Sequence, residues 1–148
     1  IYDLARGQRF YAEAGRGAYA GSGERICVSR NEDFKNFSIS AYTIRPNTGR
    51  ITGIGNRVRR IRTLGSASLE MALVARGMLD AFVDLRGMMR VVDVAAGILI
   101  IEEAGGRVSD SDGNQLHMAG DMWQKRCLVG SNGQRHEDLL KLIDGGCD

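Results

Sequence analysis

A run of eight apolar residues, 94–101 (Val-Ala-Ala-Gly-Ile-Leu-Ile-Ile), constrains this chain more than any other stretch. Asp93 stands just before it and Gly105-Gly106 just after, a start and a stop signal about three helical turns apart. A helix that is apolar all round belongs in the body of a domain, because no surface position suits it. Its first turn carries a carboxylate facing backbone N–H groups that have no intrahelical acceptor. An N-cap role for Asp93 satisfies that spacing. The sharper reading is a carboxylate held rigidly at the mouth of a site, ready to bind a metal ion. Glu102 and Glu103 lie about 14 Å further along at helical rise and cannot share that site.

At 148 residues the chain is long enough for one domain with a real core and too short for two comfortable ones. The apolar run is far shorter than a membrane span, and Ile1-Tyr2-Asp3 does not open a signal peptide. With no initiator Met and an opening that reads as mid-strand, the expectation is a fragment lacking its N-terminal part. Cys27, Cys127 and Cys147 are few, odd in number and far apart. That spacing argues against a disulfide framework or a zinc site and fits a reducing, cytoplasmic compartment. Charge is unevenly spread. Residues 34–69 carry seven basic side chains and no acidic one, so with +2 overall the remainder sums to −5. Such a stretch is either a solvated basic face or a surface that attracts phosphate.

In chain order, 8–14 and 17–28 read as strands broken by turns at Gly15-Arg16-Gly17 and Gly21-Ser22-Gly23. Residues 37–44 alternate apolar and polar, a strand ended by Pro46. Residues 47–62 read as a loop and then a short helix through Ile54, Val58 and Ile61. Gly65-Ser66-Ala67-Ser68 opens a helix through Leu69, Leu73 and Val74. Small residues there let a ligand approach free N–H groups, although Ser66 or Ser68 as a simple N-cap explains the pattern too. A strand over 79–85, a connection over 86–90, a strand over 107–109 and a turn over 110–114 follow. The chain ends with a strand over 126–131 and a helix over 134–143. Phe10, Tyr11, Tyr19 and Trp123 read as packing residues, and His117 and His136 as surface residues without ligand-spaced partners. Alternating strands and helices give a layered α/β or α+β domain, a mixed sheet with flanking helices.

Three motifs give this chain a resemblance. Ile1-Tyr2-Asp3 with Phe10-Tyr11-Ala12-Glu13, Gly17-Ala18-Tyr19 and Gly23 to Ser29 resembles the middle of the inositol monophosphatase family. Gly65-Ser66-Ala67-Ser68-Leu69-Glu70 resembles that family's Gly-Ser/Thr-Ala-Ala helix start, and Asp93-Val94-Ala95-Ala96-Gly97 its Trp-Asp-x-Ala-Ala-Gly signature, with Val92 in place of Trp. Arg86 and Arg90 make the preceding loop look like the archaeal branch, whose members act on inositol phosphates and fructose 1,6-bisphosphate. The resemblance implies the C-terminal half of the sugar-phosphatase fold. Residues 1–30 would be a hairpin remnant of the N-terminal domain, and 31–148 the substrate-side α/β domain. It further implies Mg²⁺-dependent hydrolysis of a phosphate monoester, with Asp93 a metal ligand. Arg60, Arg62 and Arg86 would then contact the sugar or a second phosphate, and Gly65 and Ser66 would offer groups close to the substrate. The family's Glu-Glu pair and Asp-Pro-x-Asp-Gly-Thr motif would lie before Ile1. The catalytic residues are therefore expected outside this chain, which alone would be inactive, and the intact enzyme is expected to be a homodimer.

Two other readings compete. One is a non-catalytic phosphate- or nucleic-acid-binding module using the basic 34–69 face, which few stacking aromatics support. The other is a piece that serves subunit association.

Overall fold

The structure, a computed structural model, describes residues 1–116 and 123–144. Four short strands open the chain: β1 (Tyr2–Asp3), β2 (Gln8–Glu13), β3 (Gly17–Ala20) and β4 (Glu24–Ile26). They form one antiparallel meander in sequence order. The remaining strands are β5 (Ser38–Tyr42), β6 (Arg60–Arg62), β7 (Ala81–Met89), β8 (Arg107–Ser109) and β9 (Arg126–Ser131). They make a five-stranded sheet in the order β6-β5-β7-β9-β8. The β5–β6 and β5–β7 pairs are parallel, whereas β7–β9 and β8–β9 are antiparallel. The mixed sheet with flanking helices is as the sequence predicts.

Helices α1 (Thr52–Gly55), α2 (Ala67–Ala75), α3 (Val91–Glu103) and α4 (His136–Asp144) fill the layers. The central strand β7 shows why two cores exist. Ala81, Val83 and Leu85 point to one face and join Ile39, Ile54, Val129, Leu139 and Ile143 under α1 and α4. Phe82 points to the other and joins α2, α3 and the meander through Met71, Val74, Ile98, Ile101, Phe10 and Ile26. A period of two thus buries both faces of one strand in different cores. The α2–α3 pair therefore lies between the two sheets. It approaches closely because Gly97 lacks a side chain: a Cβ there would sit 2.6 Å from Met71 Sδ.

Several local expectations are corrected. Residues 60–62 form an edge strand, not the end of a helix. The 4-3 spacing of Ile54, Val58 and Ile61 is helical, but Ser38, Ile39 and Ser40 offer a parallel partner for Arg60, Ile61 and Arg62. β7 runs on through the stretch 86–89 read as a connection, re-pairing Met89 with Arg126 after an irregularity that follows Asp84. The apolar helix α3 is only half enclosed: Val94, Gly97, Ile98, Ile100 and Ile101 are buried, while Val92, Ala95 and Ala96 are exposed. Alanine costs little in water, so the open side carries small residues. Trp123 does not pack inward; it is 64% exposed, with the Arg90 guanidinium over its ring. His136 is not on the surface either, being 1% exposed; His117 lies outside the described residues.

At its far end α3 is tied to the meander. Glu103 takes the Gly15 and Gly17 N–H groups, each at 2.7 Å, one on either carboxylate oxygen. Those two bonds hold its carboxyl below the usual range.

Candidate active-site cleft

Two helix N-termini meet at one open cleft. Ser66, in extended conformation, is the N-cap of α2, and its Oγ accepts the Leu69 N–H at 3.4 Å. Gly65 precedes it at φ +93°, with open space where a Cβ would be. On α3 the N-cap is Arg90, so Asp93 is the third helical residue and not the cap itself. Its carboxylate accepts the Arg90 backbone N–H at 3.3 Å and takes the Arg90 side chain as a fork, Nε at 2.9 Å and Nη2 at 3.1 Å. That fork pulls the Asp93 carboxyl below its ordinary range. Ser66, Ser68, Asp93 and Asp3 line the same cleft, of about 440 Å³.

Asp93 fits a hard divalent cation as one ligand among several. It offers carboxylate oxygens on a side chain one-third exposed to the cleft, the donor type such a cation prefers. It does not fit as a complete site. No cluster of three or more His, Cys, Asp or Glu side chains suited to a metal exists among the described residues. Asp3 is already engaged by the Ala5 and Arg6 N–H groups and the Arg6 guanidinium.

The arginines singled out from the sequence divide into two places. Arg86 is clamped on the fully buried Asp84, through Nε at 3.0 Å and Nη2 at 2.5 Å, and its guanidinium lies 4.4 Å from the Tyr42 ring centroid. The Asp84 bonds raise the Arg86 pKa further. Gly65 joins this group, because its N–H donates to Tyr42 Oη at 2.9 Å. Arg60 and Arg62 stand apart, exposed on edge strand β6, in a groove with Arg6 and Leu64. A middle groove shares Asp3 with the cleft and Arg6 with the arginine groove, so the three follow one another along one face.

Sequence reasoning missed Tyr42, Glu70 and Asp84. Glu70 is wholly buried and accepts the Tyr42 hydroxyl at 2.8 Å and the Leu64 N–H. Burial, then the bond to Glu70, pushes the Tyr42 phenol up to about 12. The available signal was a glutamate inside an otherwise apolar helix, Leu69-Glu70-Met71-Ala72-Leu73-Val74.

Comparison with known proteins matches this arrangement to a family. Residues 1–145 fit the family model described as the inositol monophosphatase family. A fructose-1,6-bisphosphatase/inositol-1-monophosphatase of Thermococcus kodakarensis is 38% identical over 143 residues, covering 97% of this chain and 52% of that protein. A bifunctional NADP phosphatase/NAD kinase of Methanococcus maripaludis is 36% identical over 147 residues, which is 97% of this chain and 26% of the relative. Among solved structures, an IMPase of Thermotoga maritima superposes with a TM-score of 0.85 at 35% identity, covering 98% of this chain and 54% of that one. The chain thus spans about half the length of the phosphatases it matches, or less. On the family model that matches nearly its whole length and the fold it shares with solved relatives, the chain belongs to the inositol monophosphatase family.

Proposed function

We propose that the protein carrying this chain is a Mg²⁺-dependent phosphomonoesterase acting on inositol monophosphate, fructose 1,6-bisphosphate or both. The observation that carries this reading is the placement of Asp93 and Ser66 on one cleft, each at the N-terminal end of a helix. Two helix N-termini favour a bound phosphate through their free N–H groups and dipoles. Asp93 supplies one carboxylate to the cation, whose role when bound is to activate water and neutralise developing charge. Binding the cation requires Asp93 to be shared with, or released from, Arg90. Ser66 and the Gly65 turn border the ester, and Arg86 meets the sugar or inositol ring. Arg60 and Arg62, which have no ion-pair partner among the described residues, suit a second phosphate. Because the described residues hold no cluster of metal-ligating side chains, the chain by itself is expected to be inactive. A homodimer is part of the same reading, supported by apolar side chains left in the open at Leu4, Leu64 and Met78.

The test is phosphate release from inositol 1-phosphate, fructose 1,6-bisphosphate and NADP, with and without Mg²⁺, for the whole protein and for the 148-residue chain. Mg²⁺-dependent release by the whole protein and almost none by the chain is expected. A brisk rate from the chain alone, or none from the whole protein on any ester, contradicts the proposal.

A further inference from the structure

Glu70 is a buried acid that the proposed chemistry does not use. It sits in the first turn of α2 with no exposed surface. All its hydrogen bonding is concentrated on one oxygen: Oε1 accepts both the Tyr42 hydroxyl and the Leu64 N–H. The other oxygen, Oε2, is buried with no hydrogen-bond partner among the described residues. A half-satisfied buried carboxylate is costly, so what it holds together is informative.

Tyr42 is the centre of that assembly. Its hydroxyl donates to Glu70 and accepts the Gly65 N–H, while its ring carries the Arg86 guanidinium. Leu64 and Gly65, both held by this pair, lead directly into the Ser66 cap. Glu70 N–H in turn donates to Ser66 O at 2.9 Å. The turn over 64–66 and the side chain of Arg86, 20 residues apart in sequence, are thus fixed against the same phenol.

We propose that Tyr42 and Glu70 are positioning residues for the cleft, Glu70 orienting the Tyr42 hydroxyl and Tyr42 setting both the 64–66 turn and the stacked Arg86. The inference rests on the reading that Gly65, Ser66 and Arg86 face a phosphate ester. Neither Tyr42 nor Glu70 needs to touch that ester. Glu70 acts only as a hydrogen-bond acceptor, and its negative charge is dispensable.

Steady-state hydrolysis by the whole protein, combined with amide exchange of the chain, tests this with Tyr42→Phe, Glu70→Ala and Glu70→Gln. Tyr42→Phe keeps the ring beneath Arg86 and deletes the hydroxyl. It is expected to raise KM about five- to tenfold with kcat within about twofold, and to speed exchange of the Gly65 amide about tenfold, the scale of one lost hydrogen bond. Glu70→Ala should do the same where the protein folds, and Glu70→Gln, which retains an acceptor, should restore KM and Gly65 protection. A Tyr42→Phe protein with unchanged KM, or a Glu70→Gln protein as impaired as Glu70→Ala, overturns the inference. Failure of the underlying reading is separate, since it shows as absent turnover in the unsubstituted protein.

Discussion

His136 should make this fold lose stability in mildly acidic solution. Its Nε2 lies 2.8 Å from Ser109 Oγ and its Nδ1 2.8 Å from Ser131 Oγ, both in the interior. Ser109 spends its own proton on the Asp110 carbonyl at 2.7 Å, so it must accept from Nε2–H. Ser131 accepts the Gly133 N–H at 3.1 Å, which leaves its proton for Nδ1. Every group is satisfied by a neutral imidazole with the proton on Nε2, and a second ring proton has no acceptor prepared for it. Burial, reinforced by the nearby Arg107 charge and partly opposed by Glu137, lowers the pKa from 6.5 to about 4. Between those values the unfolded chain binds a proton that the folded chain refuses. Stability contributed by neutral His136 is therefore complete above pH 6.5, falls as the pH drops, and levels off below about 4. At about 1.4 kcal/mol per pH unit, the loss is about 3 kcal/mol. Urea unfolding followed by far-ultraviolet circular dichroism from pH 7.5 to 4, compared with His136→Gln, isolates it from the carboxylates. Equal pH slopes in the two proteins, or an imidazole NMR titration of the folded chain centred near 6.5, would refute the reasoning.

Two further perturbations test the packing around α3. Gly97→Ala places a Cβ 2.6 Å from Met71 Sδ and 2.9 Å from Met71 Cβ. The α2–α3 pair must then part, at a cost of about 1–3 kcal/mol in urea unfolding; an unchanged midpoint would show that the pair is not in tight contact. Glu103→Ala frees the Gly15 and Gly17 N–H groups, so both amides should lose exchange protection while the five-stranded sheet keeps its own. Because its carboxyl is held low when folded, the clamp should be intact above the normal carboxylate range and fade as the pH falls below it. Protection that persists in Glu103→Ala would contradict the assignment.

What the sequence disclosed was local, and what it withheld depended on distant partners. Ser66 and Asp93 were legible because helix starts carry their own signals: a small polar residue in extended conformation and an acid in the first turn. Strand β9 was legible from its residues alone and runs over the expected 126–131. β6 was misread because Ile61, whose spacing from Ile54 and Val58 suits a helix, is claimed with Arg60 and Arg62 by the neighbouring strand β5. The end of β7 was misread because Arg-Gly-Met-Met has the composition of a loop, and its pairing partner Arg126 lies far downstream. His136 owes its burial to serines on two strands, one of them 27 residues away. Tyr42 and Glu70 meet only after β5 and α2 are packed. Arg86 and Asp84, two apart on one strand and so on the same face, were within reach of the sequence, but the stretch from Arg86 onward read as a connection and hid the pair.

The central claim is that Asp93 lends its carboxylate to a catalytic divalent cation, and the direct measurement is Mg²⁺-dependent phosphate release by Asp93→Asn in the whole protein. Asparagine keeps the shape and can still accept the Arg90 N–H, so the fold should survive by circular dichroism. Turnover should nonetheless fall by about 100-fold or more at every Mg²⁺ concentration, the scale of losing charge from a metal ligand set. An Asp93→Asn protein that turns over at the parent rate once Mg²⁺ is saturating would contradict the account.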